Sequence, residues 1–321
     1  MKLKTASLLL AVLLAAVLPF SSVAMGEASV AAPATQPVGS LAANPATGPI
    51  TRGQQVFSTG HSFHFGFPTI LTEIAQSGGY SDALIVGVSS IGGSTVSRHW
   101  SDTKDTPAMA ALKSSTVDVL TATPIYIKPP DTGVENFARL GLEHNPHFRL
   151  AMMEFWLPYD NYEPRNYWKG PKGSPTERVN PPTVNHNAVT VEALRAMHEA
   201  YFKEMDDMVV DINKKLGKQV VYVVPVGQAV LALREKVIAG QVPGVAAQTD
   251  LFADQLGHPK MPMKILIGYC HYAVIYRKSP IGLPVPKELG QGKDAEAMNA
   301  LLQQLAWDAV TRHPLSGVAA K

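Results

Sequence analysis

Apolar residues along the chain fall into short runs that alternate with stretches of helical spacing. Gln55 to Thr59, Ala83 to Val88, Val117 to Thr123, Phe148 to Phe155 and Gln219 to Val224 read as strands. The fourth run is nearly all apolar, as expected of a strand covered on both faces. Between the runs, Pro68 to Gln76, Pro107 to Lys113, Val134 to Glu143 and Gly227 to Ala239 carry helical patterns. Pro68 lies near the first turn of its helix, and Gly78-Gly79 stops it. The clearest helix has Leu194, Met197, Tyr201, Met205, Met208 and Ile212 at three- and four-residue steps and ends at Gly217. Met263 to Tyr276 is apolar all round, and Asp294 to Val310 is weakly amphipathic. Strands alternating with helices predict an α/β fold: three layers around a five-stranded, mainly parallel sheet. Ligands of such sheets sit at the carboxyl ends of the strands. The loops beginning at Gly60, Ser89, Pro124, Trp156 and Pro225 open there.

Two stretches break the rhythm. Residues 158–190 contain prolines at 158, 164, 171, 175, 181 and 182 and read as an insertion that is neither helix nor strand. At the other end, Lys2 and Lys4 precede an apolar run from Leu8 to Phe20, and Ser22 and Ala24 follow at signal-peptidase spacing. Residues 1–24 are therefore expected to be a signal peptide and 25–48, rich in Ala, Pro, Ser and Thr, a flexible leader. Residues 49–321 form the expected single domain, exported to the periplasm or beyond, with no membrane span after signal cleavage.

Composition narrows the partners. Lys2 and Lys4 account for the excess of basic over acidic side chains, 28 against 26. A domain so balanced lacks the footprint of a nucleic-acid binder. Cys270, the single cysteine, excludes an internal disulfide and lies in an apolar pattern that reads as core.

Candidate chemistry starts at Gly60-His61-Ser62, where a strand breaks into a turn that leads to a helix. A serine at such a turn is either an ordinary turn or cap residue or a nucleophile. A nucleophile needs a base, a carboxylate to orient the base, and donors for the oxyanion. Asp254 and His258 lie in one short loop far downstream, and Gly92-Gly93 follows the second strand. Trp156, Tyr159, Tyr162, Tyr167 and Trp168 offer flat faces for a sugar ring or else pack the insertion onto the domain. Glu154 ends the fourth strand near the expected cleft. His61 and His64, and His144 and His147, form pairs, but no His-Glu-x-x-His occurs, so no metal site is expected.

In order and strand placement these residues resemble the SGNH (GDSL-type) hydrolases over roughly residues 54–285. Gly60-His61-Ser62 is similar to that family's serine block, Ser90-Ile91-Gly92-Gly93-Ser94-Thr95 to its glycine block, and Asp254 to His258 to its terminal Asp-x-x-His block. The run Tyr272 to Tyr276 and Ser279 to Pro284 resembles the C-terminal part of exported bacterial members. The resemblance implies an SGNH fold and a serine esterase acting on O-acyl, including O-acetyl, groups of a small molecule or glycan, without cofactor. It implies Ser62 as nucleophile, His258 as base, Asp254 as its orienting carboxylate, and the N–H groups of Ser62 and Gly93 as oxyanion donors. His61, Trp156 and Glu154 are the expected substrate contacts, with two alternatives open: His61 shapes the pocket entrance or hydrogen-bonds its own loop, and Glu154 only solvates the strand end.

Two features depart from the family. Val119 to Thr123 runs into Pro124-Ile125-Tyr126, with no asparagine block, leaving Thr123 or Asn136 as stand-ins. Three residues, not two, separate Asp254 from His258, with Asp250 as a fallback carboxylate. The alternative reading is a non-catalytic carbohydrate-binding or accessory protein with the same fold.

Overall fold

The computed structural model describes residues 48–125, 131–160 and 184–318. All three stretches belong to one compact unit, Leu41–Lys321. The expected signal segment and leader lie outside the described residues, apart from Gly48, as do positions 161–183 of the insertion with Tyr162, Tyr167 and Trp168.

Five strands form one sheet: β1 (Gln55–Gly60), β2 (Leu84–Ser90), β3 (Val119–Ala122), β4 (Arg149–Glu154) and β5 (Val221–Pro225). Their order is β2-β1-β3-β4-β5, and every neighbouring pair is parallel. The fold is α/β, as the alternation of elements predicts. Strands β3 and β5 are buried throughout, and β1 and β4 are buried except at their first residues, which explains their continuous apolar runs. β2 is an edge strand with Leu84 and Val88 about half exposed (53% and 49%), so its apolar composition is not a sign of burial.

Among the described residues, seven α-helices flank the sheet: α1 (Phe67–Ser77), α2 (Pro107–Lys113), α3 (Thr132–His144), α4 (Val191–Leu216), α5 (Val226–Ile238), α6 (Met261–Tyr276) and α7 (Lys293–Arg312). α6 packs against α1 and α7, and α2 packs against α3. Every α6 residue from Ile265 to Tyr276 is buried, Cys270 included, which accounts for a helix with no polar face. Among the described residues no helix is long and apolar enough to cross a membrane.

The topology places the site. The chain passes from β1 to β2 on one side and then crosses to β3 on the other, so the carboxyl end of β1 borders a topological switch point. Ser62 lies two residues beyond that end.

Candidate active site

The Ser62 turn is bracketed by two histidines, His61 and His64. After β1 the chain enters a short 3-10 turn, Ser62–His64, closed by a hydrogen bond from the His64 N–H to the His61 carbonyl at 2.9 Å. The buried His64 ring reaches back under the turn. Its Nε2 pairs with Ser58 Oγ at 2.9 Å and its Nδ1 with Thr123 Oγ1 at 2.6 Å, which ties the turn to β1 and to the end of β3. A Cβ on Gly60 would come within 2.6 Å of the His64 ring, so only glycine fits where the ring crosses the backbone.

Asp254 and His258 share a loop closed by a bridge between Phe252 and Pro259. The loop is cinched by the Ala253 N–H on the His258 carbonyl at 2.8 Å. Gly257 takes φ +98°, a region open to glycine, which lets the extra residue between Asp254 and His258 be absorbed in the turn. Asp254 Oδ1 accepts from the backbone N–H groups of Gly257 and His258, at 3.1 and 3.2 Å. Its Oδ2 lies 2.6 Å from His258 Nδ1, and His258 Nε2 lies 2.8 Å from Ser62 Oγ.

Proton positions follow from the partners. An ionised carboxylate only accepts, so His258 Nδ1 carries the hydrogen, Nε2 is the acceptor, and the Ser62 hydroxyl donates to it. Partial burial pushes the Asp254 carboxyl up, but the hydrogen bonds from the His258 ring and the two backbone N–H groups outweigh it and hold the group below its ordinary value. Around this chain the other imidazoles are kept uncharged. Burial drives His61 down to about 3, His64 well below the ordinary range, and His99 down as well.

The loop after β2 is fixed by His99, whose ring spans Ser89 Oγ (2.7 Å) and Ser94 Oγ (2.8 Å). The Ile91 N–H donates to the Gly60 carbonyl at 3.1 Å, which joins this loop to the last residue of β1, just ahead of the Ser62 turn. Gly93 is exposed in that loop with φ +60° and open space around its α-carbon. Ser62 and Gly93, the two expected backbone donors, thus stand on segments linked through the last residue of β1.

Several expectations need correction. Trp156 is buried, stacked on Phe63 at 4.7 Å between ring centres, and its Nε1–H donates to the Gly257 carbonyl at 2.9 Å. It supports the His258 loop and has no free face for a sugar. Glu154 is fully buried and accepts from the backbone and side chain of Gln228 at 3.3 and 3.1 Å, at the start of α5. It caps that helix instead of facing substrate, and burial raises its pKa to about 7. His61 is also buried, its Nδ1 accepting the Phe63 N–H at 3.3 Å and its ring standing edgewise to Phe155. It shapes the turn from inside and is not at an entrance. Thr123, considered as an oxyanion donor, is occupied by His64, and Asp250 Oδ2 accepts the Ala246 and Ala247 N–H groups at 3.1 and 2.9 Å.

One cluster among the described residues has the composition of metal ligands. One ligand atom each from Glu154, Asp206 and His313 lie within 4.8 Å of one another. The Leu315 N–H donates to His313 Nδ1 at 3.2 Å, which leaves the proton of a neutral ring on Nε2, facing the carboxylates. That suits a shared proton better than a metal, which needs a lone pair there. A groove of about 810 Å³ lies elsewhere, lined by Arg195, Phe202, Gln228, Leu231, Glu235 and Leu305 among others, and takes no residue from the Ser62 site.

Fold and site together define a doubly wound α/β protein with a serine–histidine–aspartate hydrogen-bond chain at its switch point. No family model matches the sequence, and no curated protein matches it. Among solved structures it is similar to a DUF4886 family protein from Bacteroides uniformis, with 13% identity over 81% of this chain and 95% of that one, at a TM-score of 0.48. It is also similar to a protein from Parabacteroides merdae named as a GDSL-like lipase, with 12% identity over 69% and 94% of the two chains, at a TM-score of 0.43. Likenesses at this level transfer no chemistry.

Proposed function

We propose that the chain is a serine esterase that hydrolyses O-acyl esters without metal or organic cofactor. The observation that carries this reading is the unbroken hydrogen-bond chain from Asp254 Oδ2 through His258 to Ser62 Oγ, at 2.6 and 2.8 Å. Ser62 Oγ attacks the ester carbonyl carbon and its proton passes to His258 Nε2. Asp254 stabilises the imidazolium that forms. As the tetrahedral adduct collapses, the ester C–O bond breaks and the leaving alcohol takes the proton from Nε2. Water then gives a proton to Nε2 and attacks the acyl-serine, which releases the acid and restores the hydroxyl. The Ser62 and Gly93 N–H groups serve the oxyanion, and each such donor is worth roughly a hundred- to thousandfold in rate.

The substrate class, an O-acyl group on a small molecule or glycan met outside the cytoplasm, rests on the motif resemblance and on the N-terminal apolar run. A second reading, an accessory protein without catalysis, is favoured by one observation: Thr123, where the family places its asparagine, is engaged with His64. Hydrolysis of p-nitrophenyl acetate and of acetylated xylan by the wild type and by Ser62→Ala separates the two. Release by the wild type alone supports the esterase, and equal release from both proteins refutes it.

A further inference from the structure

Asp254 is exposed and His258 half-buried, with 47% and 31% of their side chains open to solvent, in a loop whose strand pairing among the described residues is one bridge. Hydrogen bonds of 2.6 and 2.8 Å along a catalytic relay require the loop to be held from behind. Two of its carbonyls are held by the segment that follows β4. Trp156 Nε1–H donates to Gly257 O at 2.9 Å, and the Tyr159 N–H donates to Leu256 O at 3.1 Å.

That segment is itself strained. Tyr159 and Asp160 have φ of 56° and 48°, the left-handed region that costs a side-chain-bearing residue free energy. The strain is offset by a buried ionic hub. Arg234 of α5 is fully buried, and its guanidinium grips both oxygens of Asp160, at 2.5 and 2.9 Å. Its Nε–H donates to Gln248 Oε1 at 2.8 Å, and the carboxylate also pairs with His186 Nδ1 at 2.8 Å. Burial alone would raise the Asp160 pKa, but hydrogen bonds from His186 and Arg234 outweigh it and hold the group at about 2. The hub reaches the relay loop by a second route. Arg234 lies over the Phe252 ring at 5.3 Å and the His186 ring packs on it at 4.4 Å, and Phe252 is the residue that opens the loop.

We propose that Arg234, acting through Asp160 and Phe252, is a positioning residue for His258 and Asp254. This rests on the esterase reading for its catalytic consequence, while the positioning itself is a statement about the loop. Burying a two-pronged ion pair is poor value for stability alone, since well-packed apolar substitutes are often as stable. A hub that touches the loop's supporting segment and its first residue has a geometric use.

The test is the pair Arg234→Met with Asp160→Asn, which removes both charges together and leaves none stranded. Asparagine also tolerates the left-handed backbone at position 160. The expected result is a folded protein with kcat down on the order of a hundredfold and KM within about twofold, the pattern of a misplaced base. Amide hydrogen exchange at Gly257 and His258, whose N–H groups are held by Asp254, is expected to speed up in the pair. Wild-type kcat, or unchanged exchange at those two amides, overturns the proposal. The single variant Arg234→Lys keeps the charge but not the fork or the stacking, and is expected to lie between. Exchange reads the positioning even if the wild type hydrolyses no ester, so failure of the esterase reading and failure of this one give different results.

Discussion

Replacing Asp254 by asparagine changes one atom and, on this geometry, reverses the relay. Asp254 Oδ1 accepts two backbone N–H groups while Oδ2 accepts from the His258 ring. An asparagine has one acceptor oxygen. If that oxygen stays with the Gly257 and His258 N–H groups, the amide NH₂ faces His258 Nδ1 and turns it into an acceptor. Nε2 then carries the hydrogen and points it at Ser62, which can no longer give up its proton. If the amide flips, the NH₂ meets two backbone donors and both of those bonds are lost. The first arrangement keeps two hydrogen bonds, so it wins. A wrong tautomer in such a relay costs roughly 10⁴ in kcat, equivalent to about 5–6 kcal/mol in the barrier. The assay is steady-state hydrolysis of p-nitrophenyl acetate near neutral pH, beside thermal unfolding of both proteins. A half-exposed aspartate contributes little to stability, so the midpoint should hardly move. A loss of kcat under tenfold in a well-folded Asp254→Asn protein refutes the tautomer argument.

Other outcomes follow from the same geometry. Gly257→Ala places a side chain at φ +98° with its Cβ 3.1 Å from Trp156 Nε1, so backbone strain of about 1–3 kcal/mol should lower the thermal midpoint and slow the reaction. Trp156→Phe keeps the stack on Phe63 but leaves the Gly257 carbonyl without its donor. It should cost about 1–3 kcal/mol in urea unfolding, with kcat reduced more than KM is raised. Glu154 makes stability depend on pH. Its pKa rises from 4.5 to about 7 on folding, so between those values the folded state holds a proton that the unfolded state releases. Stability attributable to this group is therefore full below pH 4.5 and declines as pH rises through 7. Glu154→Gln should remove that decline, matching the wild type near pH 4 and exceeding it at pH 8 by at most about 3 kcal/mol in unfolding free energy.

The sequence carries the order of the elements because apolar runs and helical spacing are local. It also carries Ser62, Asp254 and His258, because each stands at the break after a patterned segment and the three can be compared as a set. The fates of Trp156, Glu154 and His61 are not local. All three sit at or just beyond a strand end, and only packing decides which way each points. Trp156 is turned inward by Phe63 and by the Gly257 carbonyl, and Glu154 by the open end of α5. Arg234 leaves only a trace in the sequence. It falls among Val230, Leu233 and Val237, on the apolar face of α5, and a cation in that place needs a buried carboxylate. The partner, Asp160, is 74 residues away in the chain, and nothing in the local pattern pairs them.

On the proposed mechanism Ser62 is a nucleophile activated by His258. A fluorophosphonate probe followed by intact-mass and peptide mapping tests it without knowledge of the natural substrate. The expected result is one equivalent of adduct per chain on the peptide containing Ser62, strongly slowed by His258→Ala and absent in Ser62→Ala. A folded wild-type protein that takes up no probe, or takes it up on another residue, contradicts it.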